Sequence, residues 1–555
     1  MTMRTGAVAC ATAALGLFAF PAYAQKDPGI RGGNQNTAGM LQYSAMLKYF
    51  QTGQLPHTPP IPHPPLISRH PVTGVEANPN EVASFLEGIK RAGQLESTCD
   101  TCAMVPDGSL ATVANGAPAN ELDPAFPQFT TNSNGLGARH NADQCFICHA
   151  QPTLGGSSGF LVPNPLQVAL RRQPPQSPEN PQFNLIPHRF GRQNIVPAFE
   201  QQFGPAREVR FKYKINPSTG QILRDENGDP IPDGGVHQLW IVKGTQGDPT
   251  IANCALTQPN FTQQVEQDNV AFRTATPMFG LGLVDAIQDR EILARHAATA
   301  SERAAVGIAG HPNHSGNDGT ITRFGWKAQN KSITMFAGEA YNVELGITNE
   351  LFPTATEEDP GCQGNEKPEP NDVTRTEPND IGPPANQGFN NPIHIMADWM
   401  QFQLMMRFTD APQPAPNLSA SAMYGAQLFN NVGCALCHTP QMQTAPVSIS
   451  AVLQDRPVRL FSDLLVHHMG PGLADGIAQG AAGPDEFRTA PLWGVGQRMF
   501  FLHDGRTSDL LVAIQAHRSP ASRTYPASEA NQVISNFNAL SVAGQQAILD
   551  FLRSL

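Results

Sequence analysis

Apolar side chains recur at helical spacing near the C-terminal end of the chain, behind a serine, Ser541, that can cap a helix. They are Val542, Ile548, Phe551, Leu552 and Leu555. A second segment of helical character runs from Ala422 to Asn430, with Gly425 and Phe429 one turn apart. Because a glycine beside an aromatic residue lets two helices cross closely, this pattern predicts that the two helices pack against each other.

The first 24 residues have the apolar and polar pattern of a secretory signal peptide. Arg4 precedes an apolar run from Ala7 to Phe20, and Ala22-Tyr23-Ala24 precedes Gln25. The run is too short to span a bilayer, and no later segment has 18 uninterrupted apolar residues. The sequence therefore predicts a periplasmic protein, secreted through its signal peptide, with no membrane anchor.

Proline-rich and polar segments interrupt the apolar pattern. Residues 57–65 are rich in proline and predict an extended surface segment. Residues 361–390 are polar, which indicates an exposed loop. The 50 prolines and 49 glycines, together with only 15% charged residues, favour long loops packed on a helical frame.

Two Cys-x-x-Cys-His motifs carry the clearest chemistry in the chain. They are Cys145-Phe-Ile-Cys148-His149 and Cys434-Ala-Leu-Cys437-His438. In such a motif the two thiols add across the vinyl groups of a haem, and the adjacent histidine binds the iron. The alternative is a disulfide or zinc pair followed by an idle histidine. Two motifs in a chain with nine cysteines favour two covalently bound c-type haems, and haem attachment outside the cytoplasm agrees with export.

The other cysteines of the exported chain are Cys99, Cys102, Cys254 and Cys362. An even number in an oxidising compartment favours disulfides, although the sequence does not fix their pairing. A redox-active Cys99–Cys102 pair is the alternative. The formal net charge is −11, and loss of Arg4 with the signal peptide makes it −12, which argues against nucleic acid as a partner.

An internal repeat follows the two motifs. The segment 272–282, Phe-Arg-Thr-Ala-Thr-Pro-Met-Phe-Gly-Leu-Gly, is echoed by Phe-Arg-Thr-Ala-Pro-Leu-Trp-Gly-Val-Gly at 487–496. A weaker echo relates 324–333 to 501–510, in the same order. The repeat predicts a mainly α fold, in which two cytochrome c-like haem domains are related by duplication and carry long loops and insertions.

The predicted organisation has four parts. A signal peptide (1–24) is followed by an N-terminal extension (25–130), a first haem domain with insertions (131–415) and a second haem domain (416–555). Arg273 and Arg488, the arginines of the two repeats, suit pairing with haem propionates, since a guanidinium binds a carboxylate through two hydrogen bonds.

From about residue 130 to 555 the chain resembles the bacterial di-haem cytochrome c peroxidase superfamily. The closest resemblance is to its di-haem thiol oxidoreductase-like branch, which is related to rubber-cleaving di-haem oxygenases. The segments that carry the resemblance are 148–158, 279–287, 323–330, 468–475 and 501–506.

The resemblance implies that one haem is six-coordinate and passes electrons, while the other is open to peroxide. The distal ligand of the electron-transfer haem lies fourteen residues after the histidine of the Phe-x-His-Asp-Gly motif. Counted from His503, this position is His517, so the resemblance implies ligation by His438 and His517. Met469 and His468 are rival ligands.

The same offset from Trp326, which aligns with His503, reaches Ala340, and alanine cannot bind iron. The resemblance therefore implies an open haem at His149 and makes Trp326 a candidate electron relay between the haems. Phe336 stands where the peroxidases have a distal glutamine. Glu344 lies two positions before the place of their distal glutamate, and it is the candidate acid and base.

The leading expectation is a peroxidase-like enzyme in which a small cytochrome c or cupredoxin reduces the second haem and peroxide reacts at the first. If Glu344 does not reach the first haem, the pocket is apolar and better suited to dioxygen and an apolar substrate, as in an oxygenase. A plain electron-transfer cytochrome is the third candidate. Calcium between haem domains is common in the peroxidases, but no clear ligand set for it is apparent.

Overall fold

The computed structural model describes residues 27–31, 66–93, 95–97, 132–134, 137, 139–142, 145–149, 151–159, 205–238, 240–241, 256, 259–353 and 398–555. The predicted signal peptide, the proline-rich segment, the polar loop and the four cysteines predicted to form disulfides lie outside these residues. No helix in the described ranges is long and apolar enough to cross a membrane.

The described residues are moderately helical, and helices outnumber the strands of several short two-stranded sheets in residues. The helices are α1 Pro79–Gly93, α2 Phe261–Glu266, α3 Leu281–Asp285, α4 Asp289–Ala298, α5 Ala300–Ala305, α6 Ile333–Leu345, α7 Asp398–Phe408, α8 Ala420–Val432, α9 Leu510–Ala516, α10 Asn531–Asn538 and α11 Val542–Ser554. The strands are β1 Leu95–Ser97, β2 Asn132–Asn134, β3 Arg139–His140, β4 Arg207–Phe211, β5 Trp240–Ile241, β6 Val270–Thr274, β7 Asn313–His314, β8 Ile321–Thr322, β9 Met442–Gln443, β10 Pro457–Val458, β11 Val466–His468 and β12 Glu486–Arg488.

Six strand pairs form among these elements. The pair β1–β2 is parallel, whereas β3–β5, β4–β6, β7–β8, β9–β10 and β11–β12 are antiparallel. In the longest pair, Arg207 faces Thr274 and Phe211 faces Val270. In β11–β12, Val466 faces Arg488.

The predicted crossing of two C-terminal helices is confirmed. Helix α11 begins behind Ser541, whose hydroxyl oxygen accepts a hydrogen bond from the Gly544 amide (3.2 Å). It packs on α8 at Gly425, where an added Cβ would lie 1.8 Å from the carbonyl oxygen of Ala547. Only glycine permits this approach of the two backbones. The core around the pair includes Phe429 and the apolar residues of α11.

A second helix pair, α1 and α7, crosses in the same manner. At Gly88 of α1, an added Cβ would lie 2.5 Å from the carbonyl oxygen of Gln401 in α7. The apolar face of α1 joins the core that holds Phe146 of the first Cys-x-x-Cys-His motif. Helix α1 lies within the predicted N-terminal extension, so this part of the extension packs beside the first motif, whereas Asp27 binds Arg553 near the second.

The hydrophobic core around the first motif extends beyond residue 415, where the predicted first haem domain ends. It includes Met442, Leu460 and Trp493. The four-part organisation of the chain stays a prediction.

The segments of the stronger repeat share their local structure. Each contributes a strand of an antiparallel pair, β6 in the first copy and β12 in the second. Further along, Gly280 and Gly494 have left-handed backbone conformations, with φ of 68° and 71°, and each opens a helical turn. The left-handed region favours glycine because a side chain there is strained.

The segments of the weaker repeat also match. Phe324 forms an isolated bridge with Asn330, and Phe501 forms the corresponding bridge with Thr507. A helix with a capped N-terminus follows each bridge, α6 in the first copy and α9 in the second. In both copies, therefore, a helix begins directly after the bridge.

Candidate haem sites

The first Cys-x-x-Cys-His motif lines a cavity of about 1010 Å³, the first cavity. Cys145 begins a short 3-10 turn, and the backbone amide of His149 donates to its carbonyl oxygen (3.1 Å). The Nδ1 atom of His149 donates to the carbonyl oxygen of Gly156 (3.0 Å). Burial lowers the pKa of His149 to about 4, against the opposing effect of this carbonyl, so the ring is neutral. The bond fixes the ring and leaves Nε2 as the atom that can bind iron.

The second motif lines a cavity of about 1420 Å³, the second cavity, which also contains His517. The Nδ1 atom of His438 donates to the carbonyl oxygen of Phe461 (3.0 Å), and that of His517 donates to the carbonyl oxygen of Ala513 (2.8 Å). Burial lowers the pKa of both histidines, to about 4 for His438, where the nearby His517 adds to the effect. Two neutral imidazoles thus share this cavity.

The structure separates the rival ligands of the second site. Met469 lines the second cavity. The imidazole of His468 does not, since its Nδ1 atom lies 3.1 Å from Asp485 and its Nε2 atom 3.2 Å from Glu486. The prediction of His468 as a possible ligand is therefore wrong, because its ring is held by two carboxylates outside the cavity.

The second cavity also offers partners for propionates. Arg488 and Arg498 both line it, and among the described residues neither guanidinium pairs with a carboxylate. Arg488 donates from Nε to the carbonyl oxygen of Gly325 (2.9 Å). Burial lowers the pKa of both arginines to about 10, which reflects the cost of keeping cations there without an anion. Haem propionates fit this requirement.

Arg273 behaves differently from its repeat partner Arg488. Its guanidinium donates twice to Asp475 (2.6 and 3.1 Å) and once to Gln479 (2.6 Å), deep in the protein. The prediction that it pairs with a propionate is not supported, because a carboxylate already neutralises it. The same Asp475 lies 3.1 Å from the ammonium group of Lys327.

The cysteines and the motif histidine thus fit a haem in each cavity, and in the second cavity Arg488 and Arg498 also fit its propionates. The walls of the two cavities differ. Helix α6 lines the first cavity with Phe336, Ala340 and Glu344, at intervals of about one turn. The ring of Phe336 stacks on that of Phe324 at a centroid distance of 6.2 Å. Ala340 brings no metal-binding atom to this wall.

Glu344 lines the first cavity, as the peroxidase expectation requires. Burial and the neighbouring Glu208 raise its pKa to about 8, and its Oε2 atom accepts a hydrogen bond from Nδ2 of Asn141 (2.7 Å). Glu339 lines the same cavity, and burial raises its pKa as well. Arginines also line it, so the first cavity combines charged groups with apolar side chains and is not the wholly apolar pocket of the alternative expectation.

Glu208 is a residue of this site that sequence reasoning missed. It lies on β4 and lines the first cavity, and its carboxyl group hydrogen-bonds that of Glu344. Arg210, two residues later on the same strand, binds Glu208 through Nε (2.6 Å). No motif surrounds Glu208, so only its pairing with a repeat strand, β6, could have drawn attention to it.

Trp326 lies between the two cavities and lines both. Its indole Nε1 atom donates to the carbonyl oxygen of Thr274 (2.8 Å), and its ring meets the edge of His503 at a centroid distance of 6.3 Å. The backbone amide of Arg488 donates to the Trp326 carbonyl oxygen (2.8 Å). The indole is therefore held by both repeats.

His467 is another buried group that the sequence did not single out. Its ring lies between Asp463 (2.9 Å) and Glu529 (2.8 Å), and its Nδ1 atom is 3.7 Å from the sulfur of Cys437. Among the described residues, Cys437, Asp463 and His467 are the one group whose potential ligand atoms lie close enough together to hold a metal ion. One of its members is a haem-motif thiol, and it does not provide the set of oxygen ligands that calcium prefers.

The comparisons with known proteins identify a family model that matches most of the chain. Residues 188–555 match the family model described as "Di-haem oxidoreductase, putative peroxidase". The match begins after the first Cys-x-x-Cys-His motif. No curated protein matches the chain.

Two solved structures share limited similarity with the chain. One is a MauG-like protein associated with microbial copper homeostasis, with 15% identity and a TM-score of 0.22. The other is the hydrazine synthase of Kuenenia stuttgartiensis pressurised with xenon, with 15% identity and a TM-score of 0.18. Each match covers 30% of this chain and 55% of the other, so the chain spans about half the length of these structures. TM-scores this low carry no argument about function.

Proposed function

Because the chain belongs to the di-haem oxidoreductase family, we propose that it reduces peroxide at the first cavity with electrons that enter at the second. Each Cys-x-x-Cys-His motif holds a covalently bound c-type haem, with His149 and His438 as the motif ligands. His517 is the second ligand in the second cavity. When bound, the haems supply redox-active iron.

The observation that carries the proposal is the difference between two corresponding helix positions. His517 follows Asp509, the N-cap of α9, by eight residues, and Ala340 follows Ser332, the N-cap of α6, by the same number. Each residue lines the cavity of its own repeat. One site thus has a second imidazole, while its counterpart has a methyl group that leaves room for a small ligand. The same correspondence supports an origin of the two halves by duplication.

Glu344 supplies the proton chemistry of the first cavity. Reduction of hydrogen peroxide to two water molecules consumes two electrons and two protons. Since the pKa of Glu344 is raised to about 8, its carboxyl group is mostly neutral at pH 7 and can donate a proton to a peroxide oxygen. A carboxyl group with a pKa near the working pH can also take the proton back.

The charged groups in the wall of the first cavity favour peroxide over an apolar substrate. Glutamates and arginines line the cavity beside His149, and an apolar molecule placed there would remove these groups from water without replacing their hydrogen bonds. This argues against the oxygenase alternative. Ala340 argues against a plain electron-transfer cytochrome, which needs both irons fully ligated.

Trp326 is the proposed path for electrons between the two cavities, which it separates. The donor is a small redox protein, a cytochrome c or a cupredoxin, and the enzyme works in the periplasm. The signal-peptide pattern and the haem-attachment motifs support this location.

The direct test is peroxide consumption by the purified holoprotein with a reduced cytochrome c as electron donor. We expect two molecules of cytochrome c to be oxidised for each peroxide consumed. Consumption of dioxygen together with oxidation of an added alkene would support the oxygenase alternative. Failure with peroxide and dioxygen alike would leave electron transfer as the function.

A further inference from the structure

Glu208 and Glu344 lie side by side in the wall of the first cavity, where their carboxyl groups are neighbours that can share a hydrogen bond. Two carboxyl groups that share a hydrogen bond cannot both be ionised, because one of them must supply the hydrogen and two negative charges would repel. The pair therefore holds one proton. The two residues come from distant parts of the chain, β4 and α6, so the contact is a product of the fold.

The neighbours of the pair decide which carboxyl group carries the proton. The guanidinium of Arg210 binds Glu208 through Nε at 2.6 Å and donates from Nη1 to the carbonyl oxygen of Gly234 (2.9 Å). Glu344 has the neutral amide of Asn141 as its other partner. The cation favours the ionised form of Glu208, whereas Glu344 is left with the proton.

We propose that Glu208 is a positioning residue for peroxide reduction, a carboxylate that keeps Glu344 protonated and directs its hydroxyl hydrogen. This inference rests on the proposed function, in which Glu344 is the catalytic acid. It assigns a role to the segment between the first Cys-x-x-Cys-His motif and the repeat: β4 brings Glu208 and its counter-ion Arg210 to the cavity together.

Other charged groups of the first cavity can also change the pKa of Glu208 and Glu344. Arg207 on β4, Arg273 on β6 and Glu339 on α6 line the same cavity. The charge of Arg273 is already neutralised by Asp475, at 2.6 Å. Glu339 accepts a hydrogen bond from Asn330. Besides burial, the pKa of Glu344 is raised by the carboxyl group of Glu208 and lowered by the Asn141 amide and the guanidinium of Arg210.

Glu208→Gln is the central test, since it keeps the shape of the side chain and removes its charge. The repulsion that holds the proton on Glu344 is lost, and Arg210 is freed to stabilise the Glu344 carboxylate. Activity that needs neutral Glu344 declines as the pH rises through its pKa, near 8 in the unaltered protein. We expect Glu208→Gln to move this alkaline decline to lower pH by roughly 1–3 pH units.

Arg210→Gln provides a test of opposite sign. Removal of the guanidinium raises the pKa of the pair, so the alkaline decline moves to higher pH. Glu339→Gln is the matched control, because it removes a carboxyl group of the same cavity that is not bonded to Glu344. In that variant we expect the decline at the same pH as in the unaltered protein, whatever its rate.

A second measurement detects the proton on Glu344 in the resting protein, without added peroxide. The infrared spectrum of the oxidised holoprotein should contain a band from a protonated carboxyl group that disappears in Glu344→Gln. In Glu208→Gln the same band should titrate at lower pH. The absorption spectra of both haems check that each variant is folded.

The outcomes separate the pair from the proposed function. If peroxide is not reduced at any pH but the band titrates as expected, the proposed function is wrong and the pair stands. If neither the pH profile nor the band moves in Glu208→Gln and Arg210→Gln, Glu208 does not control Glu344. A profile that moves equally in Glu339→Gln also overturns the proposal, since any charge in the cavity would then have the same effect.

Discussion

The two cavities contain the same Cys-x-x-Cys-His motif but are lined by different residues on the opposite side. In both, the motif histidine is fixed by a hydrogen bond from Nδ1 to a backbone carbonyl oxygen, at 3.0 Å for His149 and 3.0 Å for His438. The difference lies in the helix that each repeat delivers, because α9 ends at His517 and α6 carries Ala340 at the corresponding position. The motif makes each site a candidate haem site, and the wall helix decides which chemistry it can support.

The two cavities also differ in the ionisable groups that line them. The first cavity has ionisable carboxyl groups, Glu208, Glu339 and Glu344, which can hold and move protons. The second cavity has more apolar lining and includes the aromatic rings of Phe429, Phe487 and Phe501. An apolar wall excludes water, which suits a site that only passes electrons. This difference agrees with the proposed function, in which the first site handles protons and the second site receives electrons.

Making the first site resemble the second should produce the largest effect. In Ala340→His, we expect the new imidazole to take the open position at the first haem, which abolishes peroxide reduction. The first haem should change from high spin to low spin in its absorption spectrum. Ala340→Ser adds bulk without an imidazole and is the control. Unchanged turnover in Ala340→His would contradict an active site at this position.

Replacement of Glu344, the proposed proton donor, should have the second-largest effect on peroxide reduction. Glu344→Gln keeps the size of the side chain but cannot exchange a proton, so we expect kcat for peroxide to fall by about 10²–10⁴-fold at pH 7. Steady-state peroxide reduction measures the loss. A loss of less than about tenfold would show that another group supplies the proton.

Making the second site resemble the first should change its spectrum and potential. In His517→Ala, we expect the second haem to become high spin and its reduction potential to rise on the order of 0.1 V, because a strong donor to iron(III) is lost. A spectroscopic redox titration measures both changes. His468→Ala should leave both haems unaltered, since that ring lies outside the cavity. If His517→Ala stays low spin, Met469 is the ligand.

The smallest effects concern the helix pairs that frame the two sites. Gly425→Ala forces a Cβ to within 1.8 Å of the Ala547 carbonyl oxygen, and Gly88→Ala forces one to within 2.5 Å of the Gln401 carbonyl oxygen. We expect each to reduce the free energy of unfolding by about 1–3 kcal/mol, with the larger loss at Gly425 because that contact is closer. Urea denaturation of the holoprotein measures the difference. Equal stability in all three proteins would contradict the close crossings.

Local patterns were enough to predict the helix pair beside the second site. The glycine at 425 and the apolar spacing of α11 predicted the helix pair, and both are local features of the sequence. The family resemblance pointed to His517 and to a tryptophan between the sites, and the repeat aligned Trp326 with His503 and so Ala340 with His517; the structure brings these residues to the walls of the two cavities. His468 was wrongly weighed as a ligand because sequence position alone does not give the direction of a side chain.

Contacts between distant parts of the chain could not be predicted in this way. Helix α1 pairs with α7, some three hundred residues later, and neither helix carries a motif that points to the other. Glu208 contacts Glu344 only because β4 pairs with the repeat strand β6. Arg498 has no echo in the first repeat, so its place in the second cavity emerged only from the fold.

The spin state of the two haems tests the central claim most directly. Electron paramagnetic resonance of the oxidised holoprotein, as isolated, distinguishes a five-coordinate haem from a six-coordinate haem with two imidazoles. The difference between Ala340 and His517 predicts one high-spin and one low-spin signal, of which only the high-spin signal changes on addition of peroxide. Two low-spin signals that do not respond to peroxide would contradict the account.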